Sequence, residues 1–368
     1  MTHRTSQKQI LRLLFWETTI KCNLTCAHCR RLESNEATVT DLSTEQARKL
    51  IEDLAELGRE QHIMPVLVFS GGEPLCRADL FELIDLTRNR GLVPALATNG
   101  TMIDPACAGR IAKSGIARVS VSIDGATAEV HDRLRQLPGA FQMAINGIKN
   151  LYERKVPFQI NITLTKHNAH QLEDAYNLAK SLGAAAVHVF MLVPVGCGQV
   201  LAETDMLSPD EYEEKMVEVC RLDSRGEMQL KVTCGPHYER IIRQRGLYRQ
   251  RANSGSGGHV PGRHGHHGPS KGCLAGLGVL FVGHKGDVFP CGYLPVNCGN
   301  IREEKLSTIW FENKNLAIMR DSGKLEGKCG ICGYREVCGG CRGRAYAVTG
   351  NYMAQEPFCA YIPPEVAH

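Results

Sequence analysis

Between positions 15 and about 221, short apolar runs alternate with amphipathic stretches. The clearest helical pattern lies at 43–57, where Ala47, Leu50, Ile51, Leu54 and Leu57 recur along one face. Ser43 and Gln46 have the spacing of a capping box, and Gly58 supplies the stop. Further helices are predicted at about 78–90, 105–114, 140–154, 169–182 and 209–221, several ended by glycine (Gly91, Gly115, Gly183). Between them lie runs at 15–20, 66–70, 93–98, 117–123, 158–164 and 186–192, rich in Val, Ile and Ala. Runs without polar alternation fit strands buried on both faces. Strict strand–helix alternation predicts an α/β fold with parallel strands and right-handed crossovers. Six units are too few to close an eight-stranded barrel, so a partial (β/α)6 barrel is expected, with its chemistry at the C-terminal strand ends.

A chain of 368 residues exceeds one average domain, so an accessory domain is expected. The expected division is a tail at 1–14, a barrel at 15–221, a bridging segment at 222–272, a cysteine-rich domain at 273–362 and a tail at 363–368. Within the bridge, 253–270 is rich in Gly, His, Pro and Ser and reads as a loop. Its His259, His264, His266 and His267 could bind a metal or heme iron, although a linker with incidental histidines is the plainer reading. Lys and Arg number 43 against 39 Asp and Glu, so bulk charge gives no reason to expect nucleic-acid binding. Residues 1–14 lack the apolar core and cleavage site of a signal peptide, and no run approaches the ~18 apolar residues of a membrane span. The 16 cysteines therefore read as metal ligands in a reducing cytoplasm, and readily oxidised clusters suggest an anaerobic habit.

Cys22, Cys26 and Cys29 form C-x3-C-x2-C after the first strand. Three thiolates on one loop can hold three corners of a 4Fe–4S cube, whereas electron-transfer clusters normally take four. The remaining iron is then open to another ligand. A zinc knuckle completed by His28 or a distant residue is the alternative this spacing allows. The second strand leads into Ser70-Gly71-Gly72-Glu73-Pro74, whose glycines permit close backbone approach and whose carboxylate suits an ammonium group. The third ends in Ala97-Thr98-Asn99-Gly100. On the fourth, alternation points Ser120, Ser122 and Asp124 to one face. Asn161 and Thr163 follow on the fifth, and Val193-Pro194 after the sixth.

A second array comprises Cys273, Cys291, Cys329, Cys332, Cys338, Cys341 and Cys359. Taken alone, its short spacings suit zinc ribbons as well as iron–sulfur clusters. Cys107 and Cys220 fall in predicted helices and read as small buried hydrophobes.

The triplet, the GGEP segment and the ordered strand-end polar residues together resemble the radical S-adenosylmethionine (SAM) enzymes. The second array resembles their SPASM extension, with x2 instead of the usual x3 before Cys341. This resemblance covers nearly the whole chain. It implies a radical-SAM 4Fe–4S cluster on Cys22, Cys26 and Cys29, whose open iron takes the amino and carboxylate end of SAM. It further implies SAM contacts from His28, Gly71, Gly72, Glu73, Asn99, Ser122, Asp124, Asn161 and Val193. Carried over position by position, Cys329, Cys332, Cys338 and Cys359 would hold an outer auxiliary 4Fe–4S cluster. Cys273, Cys291 and Cys341 would hold an inner one, with Cys298, Cys234 or a substrate group as its fourth ligand.

Finer resemblance, in Thr165-Lys166-His167-Asn168, Cys234-Gly235-Pro236-His237-Tyr238, Pro290-Cys291-Gly292-Tyr293-Leu294 and Cys338-Gly339-Gly340-Cys341-Arg342, is to heme b synthases of the siroheme-dependent pathway. It implies oxidative decarboxylation of two propionates of iron-coproporphyrin III to vinyl groups. The SAM-derived radical would take a hydrogen from the propionate carbon nearest the ring, and an auxiliary cluster would accept the electron. An electron donor such as ferredoxin or flavodoxin would serve as partner. Other porphyrin-modifying relatives (didecarboxysiroheme side-chain removal, heme d1 synthesis) and peptide-modifying maturases share the scaffold. Four carboxylates on the substrate call for fixed cations. The basic segment 238–251, with Arg240, Arg243, Arg245, Arg249 and Arg251, is the candidate, and His237 could ligate or orient the porphyrin iron. Arg342 and Arg344 are next in line.

Overall fold

The computed structural model describes residues 9–31, 41–246 and 272–364. Its frame is one sheet whose first seven strands run parallel: β1 (Leu13–Glu17), β2 (Val66–Ser70), β3 (Val93–Thr98), β4 (Arg118–Ser122), β5 (Phe158–Leu164), β6 (Ala186–Met191) and β7 (Gln229–Thr233). Each lies beside its predecessor. The sheet continues past β1 into β8 (Val279–Val282), parallel to it, and β9 (Val288–Phe289), antiparallel to β8. The intervening helices are α1 (Thr44–Glu60), α2 (Leu80–Asn89), α3 (Pro105–Ser114), α4 (Ala128–Arg135), α5 (Ala140–Glu153), α6 (Leu172–Ser181), α7 (Gly198–Asp205), α8 (Pro209–Ser224) and α9 (His237–Gln244).

Local chemistry explains the helix starts. Ser43 and Gln46 close the expected capping box on α1, Ser208 and Glu211 close another on α8, and Asp104 accepts from the Cys107 N–H at the head of α3. Leu50, Ile51, Leu54 and Leu57 of α1 are all 0 % exposed against the sheet. Full burial of each contributes about 1.5–3 kcal/mol. On β4 the alternation is visible: Val119 and Val121 are buried, while Ser120 and Ser122 are half-buried on the opposite face.

The six expected strands form, and three further ones join them. β7 lies in the expected bridging segment and β8 in the expected cysteine-rich part, so the sheet runs through both. Four- and five-residue runs such as VLFV and QLKVT carry too little periodicity to separate from loops. Helices α4 and α7, at eight residues each, were missed for the same reason. Cys220 sits in the core and Cys107 packs against it, as expected of small apolar side chains. Among the described residues no helix is long and apolar enough to cross a membrane.

Candidate active site

The cysteine loop leaves the C-terminal end of β1, where the Thr18 N–H donates to the Ser70 carbonyl (2.8 Å). Two straps fix it. Ala27 N donates to Leu134 O (2.9 Å), and the GGE turn after β2 donates through Gly72 N to Thr19 O and Glu73 N to Lys21 O (both 2.8 Å). Gly71 and Gly72 were expected to let backbone approach a ligand. They let it approach this loop: a Cβ on Gly72 would stand 2.3 Å from Lys21 O, and one on Gly71 2.6 Å from Thr19 O.

Each thiol of the loop has a nitrogen donor near it. Leu24 N lies 3.4 Å from Cys22 Sγ, Arg135 Nη1 3.7 Å from Cys26 Sγ, and Arg31 Nε 3.2 Å from Cys29 Sγ. Such donors favour thiolates. Burial acts oppositely, pushing the Cys22 thiol up to about 11 and the Cys26 thiol in the same direction. Metal in place of the protons reconciles the two, so this donor set fits an iron–sulfur group.

Beside Cys22 stand Glu73 and Asn99. Glu73 is 0 % exposed and accepts from Asn99 N (2.9 Å), Leu75 N (3.1 Å) and Thr98 Oγ1 (2.8 and 2.9 Å). Burial raises its pKa to about 6 despite these bonds. Beside Cys26 lies a second group. Asp124 pairs with Arg135 at 2.6 Å and His28 at 3.3 Å, and accepts from Thr163 N at 2.8 Å. Burial would raise the Asp124 carboxyl, but the Arg135 guanidinium outweighs it and holds it below the usual range. Burial lowers His28 to about 4, leaving a neutral ring. Arg135, on the unforeseen helix α4, is the residue sequence reasoning missed. Its only signal was an arginine in an otherwise unassigned polar stretch. Ser122 pairs with Asn161 across β4 and β5, and Gln159 Nε2 donates to Asn161 Oδ1 (3.0 Å).

Val193 leads from β6 into the inner cysteine array, packing with Val195 and Cys341 against Cys234 and Tyr293. Cys234 packs against Cys341, Cys273 lies within electrostatic range of Cys341, and Cys291 within that of Cys234. Cys234 holds the left-handed backbone conformation (φ 58°), which costs a side chain about 1–3 kcal/mol. Cys298 is elsewhere, its Sγ 3.5 Å from Val296 O and its neighbour Arg320. Of the two proposed fourth ligands, only Cys234 adjoins the inner set.

Cys329, Cys332, Cys338 and Cys359 line one cavity, together with His237 and Arg240. That placement revises the expectation for the basic segment. Arg240 is 2 % exposed, paired with Glu213 (3.0 Å) and bonded to Gln244 (2.6 Å). His237 stacks edge-on against Tyr212 (centroids 4.9 Å apart). Both line the cavity of these four cysteines and neither lines the cavity beside the cysteine loop. Arg243 is half-buried near the end of α9. Arg249, Arg251, His259, His264, His266 and His267 lie outside the described residues. Arg342 and Arg344 are spent internally, the first on Tyr352 O and Ala354 O (2.8 and 2.7 Å), the second on Glu356.

A different cavity separates the cysteine loop from the inner array. Arg30, Arg31, Lys285, Phe281, Phe289 and Tyr293 line it. The Arg30 guanidinium sits 4.2 Å from the Phe281 ring centroid and 3.3 Å from the Glu17 carboxylate. Glu17 also holds His284 through Nδ1 (2.9 Å). Tyr293 is within electrostatic range of Cys29 on one side and of Cys234 and Cys291 on the other, so the cavity spans both sets.

Residues 16–179 match the Radical SAM superfamily, and residues 273–341 match the SPASM iron-sulfur cluster-binding domain. The AdoMet-dependent heme synthase of Methanosarcina barkeri (strain Fusaro) is 45 % identical over 96 % of this chain and 97 % of its own length. The chain belongs to the radical SAM superfamily. A second AdoMet-dependent heme synthase, from Oleidesulfovibrio alaskensis, is 41 % identical over 96 % of this chain and 88 % of that one. The solved structure of native anSMEcpe with bound AdoMet superposes with a TM-score of 0.69 over 95 % of this chain and 94 % of that one, at 20 % identity. This radical SAM protein is therefore an enzyme with a partial-barrel fold, a SPASM domain, iron–sulfur clusters and SAM as cofactors.

Proposed function

We propose that this radical SAM enzyme converts iron-coproporphyrin III to heme b by oxidative decarboxylation of two propionates. The observation that carries the reading is the 45 % identity, over nearly the full length of both chains, to an AdoMet-dependent heme synthase. The cavity between the cysteine loop and the inner array supports it chemically. A flat macrocycle with four carboxylates needs aromatic walls and cations, and Phe281, Phe289, Arg30, Arg31 and Lys285 are of those kinds.

Cys22, Cys26 and Cys29 hold the cluster that binds SAM, and together the two cofactors supply hydrogen-atom abstraction when bound. Glu73 and Asn99, beside Cys22, are assigned to the amino-acid end of SAM. Ser122 at the end of β4 and Asn161, its partner within β5, are assigned to its ribose, with His28 and Val193 at the adenine side. Asp124 acts through its pairing with Arg135, which positions the Cys26 side of the loop. Cys329, Cys332, Cys338 and Cys359 hold one auxiliary cluster, and Cys273, Cys291, Cys341 and Cys234 the other. Arg30, Arg31 and Lys285 orient propionates toward the rim, and the aromatic walls exclude water from the reacting carbon.

The test is anaerobic incubation of reconstituted protein with SAM, a reductant and iron-coproporphyrin III, with products read by mass. Loss of two carboxyl groups as carbon dioxide, with two 5′-deoxyadenosine formed per heme b, is the expected result. An unchanged porphyrin would refute the substrate, and removal of a whole side chain would point to another porphyrin-modifying reaction.

A further inference from the structure

The cavity of the outer cysteine set holds buried donors that the proposed reaction has not used. Cys329, Cys332, Cys338 and Cys359 line it together with His237 and Arg240. His237 is 0 % exposed, and neither of its ring nitrogens has a hydrogen-bond partner. Arg240 is 2 % exposed, and its Nε–H is likewise buried without a partner, although its terminal nitrogens are bound to Glu213 and Gln244. Buried donors are almost always satisfied, so two at one cavity require an acceptor. Neither group is loose. The Tyr212 ring packs edge-on to His237 with an interplanar angle of 66°, and the Arg240 guanidinium lies 5.0 Å from the Tyr361 ring centroid.

An iron–sulfur group carried by these four thiolates presents sulfur acceptors on every side. We propose that His237 and the Nε–H of Arg240 donate hydrogen bonds to that group and raise its reduction potential, fitting it to take up the electron the reaction releases. Donors to cluster sulfurs stabilise the more negative, reduced state, which moves the potential upward. The requirement for an acceptor comes from the electron balance and rests on the decarboxylation proposed above. After hydrogen abstraction, the propionate radical breaks its bond to the carboxylate carbon. One bonding electron joins the radical electron in the new vinyl π bond, carbon dioxide departs, and one electron must leave. The oxidised outer cluster, reduced by one electron, closes the balance.

The experiment is an EPR-monitored potentiometric titration of the reconstituted full chain, with Cys332→Ala identifying the outer cluster's signal. In His237→Phe the outer midpoint should fall and the other clusters keep theirs, while His237→Gln, which retains an N–H donor, should stay nearer the parent. Less porphyrin product per 5′-deoxyadenosine should accompany the fall. If His237→Phe loses the outer cluster, Arg240→Lys decides, because it keeps the charge and removes the Nε–H. An outer midpoint unmoved in these variants, or an equal shift in every cluster, overturns the proposal. A shifted midpoint with no porphyrin decarboxylation in the parent would sink the substrate reading and the electron-uptake role, and leave the hydrogen bonds to the cluster standing.

Discussion

Arg344 and Glu356, both 0 % exposed, are joined by two hydrogen bonds, Nε to Oε1 at 2.8 Å and Nη2 to Oε2 at 3.1 Å. Each also reaches a cysteine set. Glu356 N lies 3.3 Å from Cys329 Sγ, and its Oε2 accepts from Cys341 N at 2.7 Å. Arg344 binds Cys234 O at 2.8 Å and Leu192 O at 3.2 Å. The pair thus ties the outer set, the inner set and the end of β6 together. Burial alone would raise Glu356, but Arg344 holds its carboxyl at about 2.

Removing one partner of such a pair leaves an uncompensated buried charge, which costs about 3–5 kcal/mol. Glu356→Ala should therefore lose stability on that scale in anaerobic denaturant unfolding, and iron bound by the C-terminal part should fall. An unfolding midpoint equal to the parent's would show that the pair ties nothing together.

On the proposed reading, replacing Cys22, Cys26 or Cys29 by Ala removes a ligand of the cluster that binds SAM. Iron and sulfide should fall by about one 4Fe–4S equivalent, and 5′-deoxyadenosine formation should cease. Its persistence in any of the three variants would place SAM cleavage elsewhere.

Cys234→Ala and Cys298→Ala should behave differently. Cys234 packs against Cys341 and lies within electrostatic range of Cys291, whereas Cys298 faces Val296 O. The first change should alter or remove the inner cluster's EPR signal, and the second should leave every cluster signal as in the parent. Equal spectra for Cys234→Ala and the parent would return the fourth ligand to a substrate group or another residue.

Gly72→Ala would place a Cβ 2.3 Å from Lys21 O, a backbone atom that cannot swing aside. Overpacking of this kind costs about 1–3 kcal/mol. Because the strain falls between the GGE turn and the cysteine loop, weaker SAM binding should accompany the lower stability. Calorimetric titration with SAM, in parallel with denaturant unfolding, checks both.

Arg30→Ala should weaken binding of iron-coproporphyrin III. A charged hydrogen bond in a shielded site contributes on the order of 1.5–3 kcal/mol, or roughly 10- to 100-fold in affinity. Arg240→Met should bind the porphyrin like the parent, since Arg240 lines the outer cavity. Spectroscopic titration at fixed ionic strength separates them, and the reverse order would restore the basic segment as the carboxylate anchor.

Features governed by short-range chemistry were determined by the sequence alone. Helix α1 was legible because Ser43, Gln46 and the Leu50–Leu54–Leu57 spacing lie within a few turns of one another. The cysteine triplet and the GGEP segment were legible as motifs because each lies within a few consecutive residues. Tertiary structure alone decided which distant groups meet. Arg135 reaches Cys26 across 109 positions, Arg344 reaches Leu192 across 152, and His284 reaches Glu17 across 267. The same limit applies to His237 and Arg240: one-dimensional proximity to Cys234 said nothing of Glu213 or of the cavity shared with Cys359. Strand–helix periodicity records which face of an element is buried. Which charged residues then face one another depends on how separate elements pack, and spacing along the chain carries no record of that.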